Sequence, residues 1–238
     1  MNGPDLLKKH ARYVDQTRWT ESLRKVIYSR LPRNHLLSIL EVGSGTGAVL
    51  HCIREEIPER IGILAGIDID PASISLAARS VSAANCMADG RFLPFGDESF
   101  DFVYCHYFLL WCGAPETIIT EMRRVTASDG ICAALAEPCY SEMEASPESL
   151  YRAGCSQRAV LAGKGADTGI GSRLGSLFYK AGFGNYEFGK YGKTKMTGEY
   201  LRREVLQLSE DLGTDPLKIC SGEPESYYVP TYYAFAVK

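Results

Sequence analysis

A chain of 238 residues, 45% hydrophobic and 23% charged, has the composition of a globular protein large enough to bury a substantial core. A formal net charge of −3 supplies no basic stripe, which weighs against nucleic acid as a partner. No 18-residue apolar run occurs and the opening MNGPDLLKKH lacks the apolar stretch of a signal peptide, so the expectation is one cytoplasmic domain over residues 1–238 with no membrane span.

Leu6, Leu7, Tyr13, Val14, Trp19, Leu23, Val26 and Ile27 recur at helical spacing before Pro32, which predicts a helical extension over residues 1–30. It is either a helix packed on the domain or a lid that brings Tyr13, Arg18 or Trp19 to a substrate. Leu36 to Val42 is an apolar run that reads as a buried parallel strand, and Gly43, Gly45 and Gly47 follow it at once. Ala48, Val49, Leu50 and Ile53 then open a helix. A ligand held against backbone needs residues without Cβ, and a helix start offers free N–H groups, so strand, glycine turn and helix read as a nucleotide entry. Gly43, Gly45 and Ala48 equally satisfy the G-x-G-x-x-G/A fingerprint of NAD-binding folds, and a glycine turn with no ligand is the third reading.

Ile61 to Asp70 predicts a second strand and Pro71 to Ala84 a helix with proline in its first turn. Asp68 stands where an acid accepts both ribose hydroxyls in nucleotide sites, whereas Asp70 fits an N-cap. Asn85 to Ala88 predicts a third strand closed by Asp89. A turn-rich stretch leads to a fourth strand, Phe100 to Cys105, then a helix over Pro115 to Val125, a turn at Asp129-Gly130 and a fifth strand, Ile131 to Ala136. Strands alternating with helices at this spacing predict an α/β fold, a parallel sheet covered on both faces. Further on come a helix over Ser149 to Ala162, the glycine-rich 163–169, a helix over Ser172 to Ala181, a strand over Tyr186 to Tyr191, a helix over 197–212 and an alternating strand over Tyr228 to Val237. The last two strands are expected to pair as an antiparallel edge. The eight cysteines show no C-x-x-C spacing and the four histidines are scattered, which predicts reduced, mostly packed thiols and no metal site.

Leu40-Glu41-Val42-Gly43-Ser44-Gly45-Thr46-Gly47, Gly66-Ile67-Asp68, Ala88-Asp89-Gly90 with Leu93-Pro94-Phe95, Phe100-Asp101 and Ala136-Glu137-Pro138, in this order, resemble the class I S-adenosylmethionine-dependent methyltransferases. More narrowly, they are similar to the branch of quinone-biosynthesis and small-molecule enzymes. The resemblance spans roughly residues 36–192 and the last strand. It implies a Rossmann-like, doubly wound sheet of seven strands, mostly parallel with an antiparallel last strand, and helical insertions at 139–169 and 193–229 on the substrate side. It also implies S-adenosylmethionine as cofactor. Glu41, Gly43, Ser44, Gly45 and Gly47 would hold the methionine moiety, Asp68 the ribose and Asp89 the adenine amine. Gly90 would meet a ring nitrogen, Ile69 would lie against the adenine face, and the backbone at Cys105 would approach the sulfonium. His106 is then placed to act as a general base, and Tyr13, Trp19, Tyr107, Tyr140 and Arg173 to meet a small-molecule acceptor. An NAD-dependent oxidoreductase and a non-catalytic cofactor-binding partner protein are the competing functions.

Overall fold

The computed structural model describes residues 3–191, 198–220 and 224–238. The chain begins with α1 (Gly3–Thr17) and α2 (Glu21–Arg30), joined by a 3₁₀ turn at Arg18–Thr20. Then follow β1 (Leu37–Val42), α3 (Ala48–Glu56), β2 (Ile61–Asp68), α4 (Pro71–Ser80), β3 (Ala84–Met87), β4 (Phe100–Cys105), α5 (Pro115–Val125) and β5 (Thr126–Pro138). The remainder is β6 (Glu144–Ser146), α6 (Glu148–Gly163), α7 (Ile170–Lys180), β7 (Glu187–Lys190), α8 (Gly198–Leu212), α9 (Pro216–Ile219), β8 (Ser226–Tyr228) and β9 (Thr231–Val237).

Seven strands form one sheet in the order β3-β2-β1-β4-β5-β9-β7. The first five run parallel, and β9 lies antiparallel to both β5 and β7. The order reverses between β1 and β4, the topological switch where open α/β sheets place their ligands, outside the carboxyl ends of the strands. Strand alternation distributes the core. Leu40 and Val42 of β1, Val103 and Cys105 of β4 and Cys132 and Ala134 of β5 face α5 and α7. Leu37 and Ile39, Phe102 and Tyr104, and Ile131 and Ala133 face α2 and α3. Apolar cover on both faces is why these strands read as continuous hydrophobic runs.

Several expected boundaries move. Leu36 lies outside β1 and is 60% exposed, because β1 enters the sheet only at Leu37. β2 ends at Asp68 instead of Asp70, and Gly62 and Ile63 at its start face solvent. α4 stops at Ser80, where Val81 turns extended and drops into the core, and β3 lies one residue earlier than expected. The Asp129-Gly130 turn is an irregularity inside β5: Asp129 adopts φ +65° and the register against β4 jumps between Phe100↔Thr126 and Phe102↔Ile131. The closing strand divides. Pro230 separates β9 from β8, which pairs with β6 in a two-stranded sheet that the sequence reading did not anticipate. That small sheet, α6, α8 and α9 share a core of their own built on Leu150, Leu201, Leu208 and Tyr227. Of the expected 193–229 insertion, residues 193–197 and 221–223 lie outside the described residues.

Candidate functional site

At the switch point a cleft of about 500 Å³ opens above β1, β2 and β4. Its floor is the glycine turn. The Gly43 and Ser44 N–H groups both donate to the Ile67 carbonyl at 2.8 Å, which ties the end of β1 to β2. Gly43 and Gly45 take φ +75° and +51°, a region other residues enter at a cost of roughly 1–2 kcal/mol. Space decides as well: a Cβ on Gly43 would lie 2.1 Å from the Phe108 ring, and one on Gly45 would lie 3.2 Å from Tyr13. Asp68 closes the turn, accepting the Gly45 N–H at 2.7 Å and the Asp70 N–H at 2.9 Å. Asp70 itself caps α4 through the Ala72 and Ser73 N–H groups, as its position predicts.

Glu41 lines this cleft although it is 2% exposed. Strand alternation points it to the α2 and α3 face, where it accepts the Tyr104 hydroxyl at 3.1 Å. Burial pushes its carboxyl well above the usual carboxylate range. A cationic ligand in the cleft would offset that cost and favour the ionised form.

The turn after β4 forms the opposite wall. His106, Tyr107 and Phe108 all line the cleft, and a 3₁₀ turn follows at Leu109–Trp111. His106 is 9% exposed and its Nε2 meets no hydrogen-bond partner among the described residues. Burial pulls the imidazole pKa down to about 3, so the ring is neutral at physiological pH. Tyr107 adopts φ +50° and donates its N–H to the Ala136 carbonyl at 2.8 Å, while its hydroxyl meets the Thr231 hydroxyl at 3.2 Å. A bulky residue in this region signals strain held by its surroundings. Part of the hold is Glu137. Its fully buried carboxylate accepts the N–H groups of Phe108, Leu109 and Leu110 at 2.9, 2.9 and 3.2 Å, and burial raises its pKa to about 7. Sequence reasoning used Glu137 only as a motif letter; an acid ending the otherwise apolar run Ala133-Ala134-Leu135-Ala136 was the available signal.

On the far side, Asp89, Gly90 and the 69%-exposed Ile69 line the rim. The Asp89 carboxylate is engaged by Arg91, whose Nη2 lies 2.6 Å away and whose backbone N–H donates at 2.9 Å. These bonds hold the Asp89 carboxyl below its ordinary range. Above the glycine turn crosses α1, contributing Lys9, Tyr13 and Gln16, with His10 Nδ1 and the Thr46 hydroxyl 2.8 Å apart. The base of this cover is a buried ionic knot: Arg24, 1% exposed, binds both carboxylate oxygens of Glu56 at 2.9 and 2.5 Å and the Thr17 carbonyl at 2.7 Å. Tyr28 adds its hydroxyl to Glu56 at 2.6 Å.

The cleft thus gathers Glu41, Gly43, Ser44, Gly45, Asp68, Ile69, Asp89 and Gly90 with His106, Tyr107 and Tyr13. Five expected members fall outside its lining. Cys105 directs its thiol into the core between β4 and α5, as the face alternation of β4 requires. Gly47 is the N-cap of α3, and its φ of +78° and contact with α4 give it a packing role. Trp19 stands behind Tyr107, ring centroids 6.2 Å apart. Tyr140 lies in the 3₁₀ turn after β5, where burial pushes its hydroxyl up to about 12. Arg173, on exposed α7 surface, is paired with Asp167.

A model of the methyltransferase domain family matches residues 40–134, from the end of β1 through the body of β5. Over these residues the chain carries a methyltransferase domain, on a sheet with the strand order of the class I S-adenosylmethionine-dependent fold. This methyltransferase domain is 28% identical over 115 residues to a malonyl-[acyl-carrier protein] O-methyltransferase of Marinomonas sp., 45% of this chain and 42% of that protein. It is also 28% identical over 153 residues to the mitochondrial arginine-hydroxylase NDUFAF5 of Danio rerio, 60% of this chain and 44% of that protein. The chain spans less than half the length of each of these relatives. Among solved structures, the fold agrees with that of a Haloferax volcanii complex between the Trm112 methyltransferase activator and a methyltransferase, with a TM-score of 0.66, 15% identity and coverage of 97% of this chain and 94% of the other. Among the described residues no helix is long and apolar enough to cross a membrane.

Proposed function

We propose that this methyltransferase domain transfers a methyl group from S-adenosylmethionine to a small-molecule acceptor with an oxygen, nitrogen or carbon nucleophile, and that residues 1–238 act as one catalytic unit. The observation that carries the reading is Glu41: a buried carboxylate lining the cleft beside left-handed Gly43 and Gly45. A ligand with an ammonium and a sulfonium ionises and pairs this acid. A dinucleotide sets a pyrophosphate beside it, which favours keeping the acid protonated and leaves, among the described residues, Lys9 and Arg91 as the cations that line the cleft to meet the phosphates. Glu41, the glycine turn and Ser44 would hold the methionine end, Asp68 the ribose hydroxyls, and Asp89, Gly90 and Ile69 the adenine.

The bound cofactor supplies a methyl group already activated as a sulfonium. What remains for the chain is to hold the two reactants in line and to exclude water. Tyr13 and Gln16 of α1 cover the glycine turn, while Tyr107 and Phe108 close the other wall. For a protonated nucleophile, His106 is the proposed base, since it lines the cleft and its ring is neutral. In that role the imidazole would accept the nucleophile's proton against the burial that otherwise disfavours its charged form.

The test is calorimetric titration of the chain with S-adenosylmethionine, its demethylated product S-adenosylhomocysteine, and NAD, followed by labelled-methyl transfer to acceptor panels. Binding of the first two and not the third is expected. Binding of NAD alone would return the glycine turn to the oxidoreductase reading, and cofactor binding with no transfer to any acceptor class would favour the non-catalytic partner protein.

A further inference from the structure

We infer that Glu137 is the positioning residue of this cleft: its carboxylate clamps the turn after β4 so that His106 and Phe108 keep the places from which they line the site. The inference rests on the proposed function only for the identity of the ligand used in its test.

Three observations converge on Glu137. The first is the run of donors it serves. Residues 136 and 137 together receive four successive amides, Tyr107 into the Ala136 carbonyl and Phe108, Leu109 and Leu110 into the Glu137 carboxylate. The opening N–H groups of a helical turn have no partners within it, and Leu109 and Leu110 of this turn are buried, so the carboxylate supplies what solvent cannot. The second is the geometry so held. Tyr107 sits at φ +50°, a conformation a tyrosine does not keep unless its neighbours over-determine it. The third is where the held residues point. The Phe108 ring fills the space over Gly43 and reaches Gly90, whose Cβ position lies 3.3 Å from it, while His106 lines the cleft beside it. Glu137 is not itself a lining residue; it holds the backbone of Phe108, which is.

The surroundings make the clamp depend on this one acid. Facing it are Cys105 from β4 and Tyr107 and Cys112 from the turn, all pushed above their ordinary values by burial and neutral near pH 7. Gly171 of α7 abuts its backbone and Tyr232 of β9 is its strand partner, again without charge. Backbone dipoles alone balance the carboxylate, and protonation puts a hydrogen on an oxygen that is accepting one.

The experiment compares wild type with Glu137→Gln in two readouts: hydrogen exchange of the Phe108, Leu109 and Leu110 amides, and the affinity for S-adenosylhomocysteine by calorimetry from pH 5.5 to 8.5. Glu137→Gln keeps one acceptor oxygen and turns an N–H₂ toward Leu110. The Leu110 amide should exchange at least about tenfold faster, affinity at pH 8 should fall about tenfold, and the wild-type loss of affinity as pH drops through about 7 should vanish from the variant. Glu41 titrates in both proteins, so the difference between the two profiles reads Glu137 alone. Unchanged exchange at residues 108–110 overturns the clamp, as does faster exchange there with unchanged affinity and pH profile. If wild type binds no S-adenosylhomocysteine the cofactor reading fails, and the exchange data decide the clamp by themselves. Should Glu137→Gln not fold, Glu137→Asp, which withdraws the carboxylate by one methylene and still titrates, is read by the exchange of the three amides and by the affinity at pH 8.

Discussion

Replacing His106 by glutamine removes a buried imidazole and leaves a side chain of similar reach that cannot titrate. In the native protein burial holds the His106 pKa at about 3, against 6.5 for the exposed ring. A depressed native pKa means that stability is fully present above 6.5 and is lost as pH falls, because the unfolded chain takes up a proton that the native chain refuses. Well below 6.5 the loss approaches about 1.4 kcal/mol per pH unit; summed from pH 7.5 to 5.0 it comes to about 2 kcal/mol, since the native ring stays neutral throughout. Glu137 acts with the opposite sign, its raised pKa giving stability that is present below 4.5 and lost as pH rises through about 7. Wild type therefore sums two opposed slopes between pH 5 and 6.5. Glu137→Gln aside, every carboxylate is common to wild type and His106→Gln, so the difference between their stabilities isolates the imidazole. Urea unfolding followed by the fluorescence of Trp19 and Trp111, at half-unit steps from pH 5.0 to 7.5, should show the variant gaining about 2 kcal/mol on wild type toward the acid end. Parallel curves, agreeing within about 0.5 kcal/mol across that range, would mean that the native ring accepts a proton as readily as the unfolded one. The argument for a desolvated, neutral base would then fail with them.

Three other perturbations test the remaining parts. Asp68→Ala removes the proposed ribose acceptor and also the partner of the Gly45 and Asp70 amides, so it should weaken S-adenosylhomocysteine binding by about 2–3 kcal/mol, more than Asp89→Ala, whose carboxylate is shared with Arg91; calorimetry ranks the two. Gly43→Ala puts a methyl 2.1 Å from the Phe108 ring at φ +75° and should abolish detectable binding, with Phe108→Ala in the same chain relieving the overlap but not the torsion, so that only partial recovery appears in the same titration. Arg24→Met leaves the Glu56 carboxylate with the Tyr28 hydroxyl but without its guanidinium and should cost about 3–5 kcal/mol in urea unfolding, whereas adding Glu56→Leu should recover part of it, the Tyr28 hydroxyl then losing its acceptor. Equal losses in the single and double variants would show that packing, not the stranded charge, sets the cost.

The sheet was legible because its information is local. β1, β4 and β5 are buried on both faces, so each announces itself as an unbroken apolar run, and β4 and α5 fell on their expected residues. Where burial is one-sided the reading drifted: β2 starts in solvent, β3 is an edge strand with no buried residue, and α4 gives up its last turn so that Val81 can enter the core. The β6–β8 pair was illegible for another reason. Its strands of three residues are far apart in the chain, and their partners come from a separate core with no periodicity of its own long enough to read.

The same division runs through the cleft. Gly43, Gly45 and Asp68 line one cleft because a turn at the end of a buried strand dictates residue types over a few positions, and strand alternation then explains why Cys105 points to the core while its neighbour His106 reaches the cleft. What the motif could not convey is which buried acid serves which task. Glu41 and Glu137 both close apolar strands and both have pKa values raised by burial, yet Glu41 borders the ligand space with one hydroxyl as its side-chain partner, and Glu137 is enclosed by three amides of a turn formed some thirty residues earlier in the chain. An acid left open to the cleft is free to answer a cation; an acid saturated by backbone can only hold that backbone in place. Under the proposed function, two carboxylates of the same kind divide recognition from positioning according to the donors the fold brings to each, a division set only once β1, β4 and β5 stand side by side.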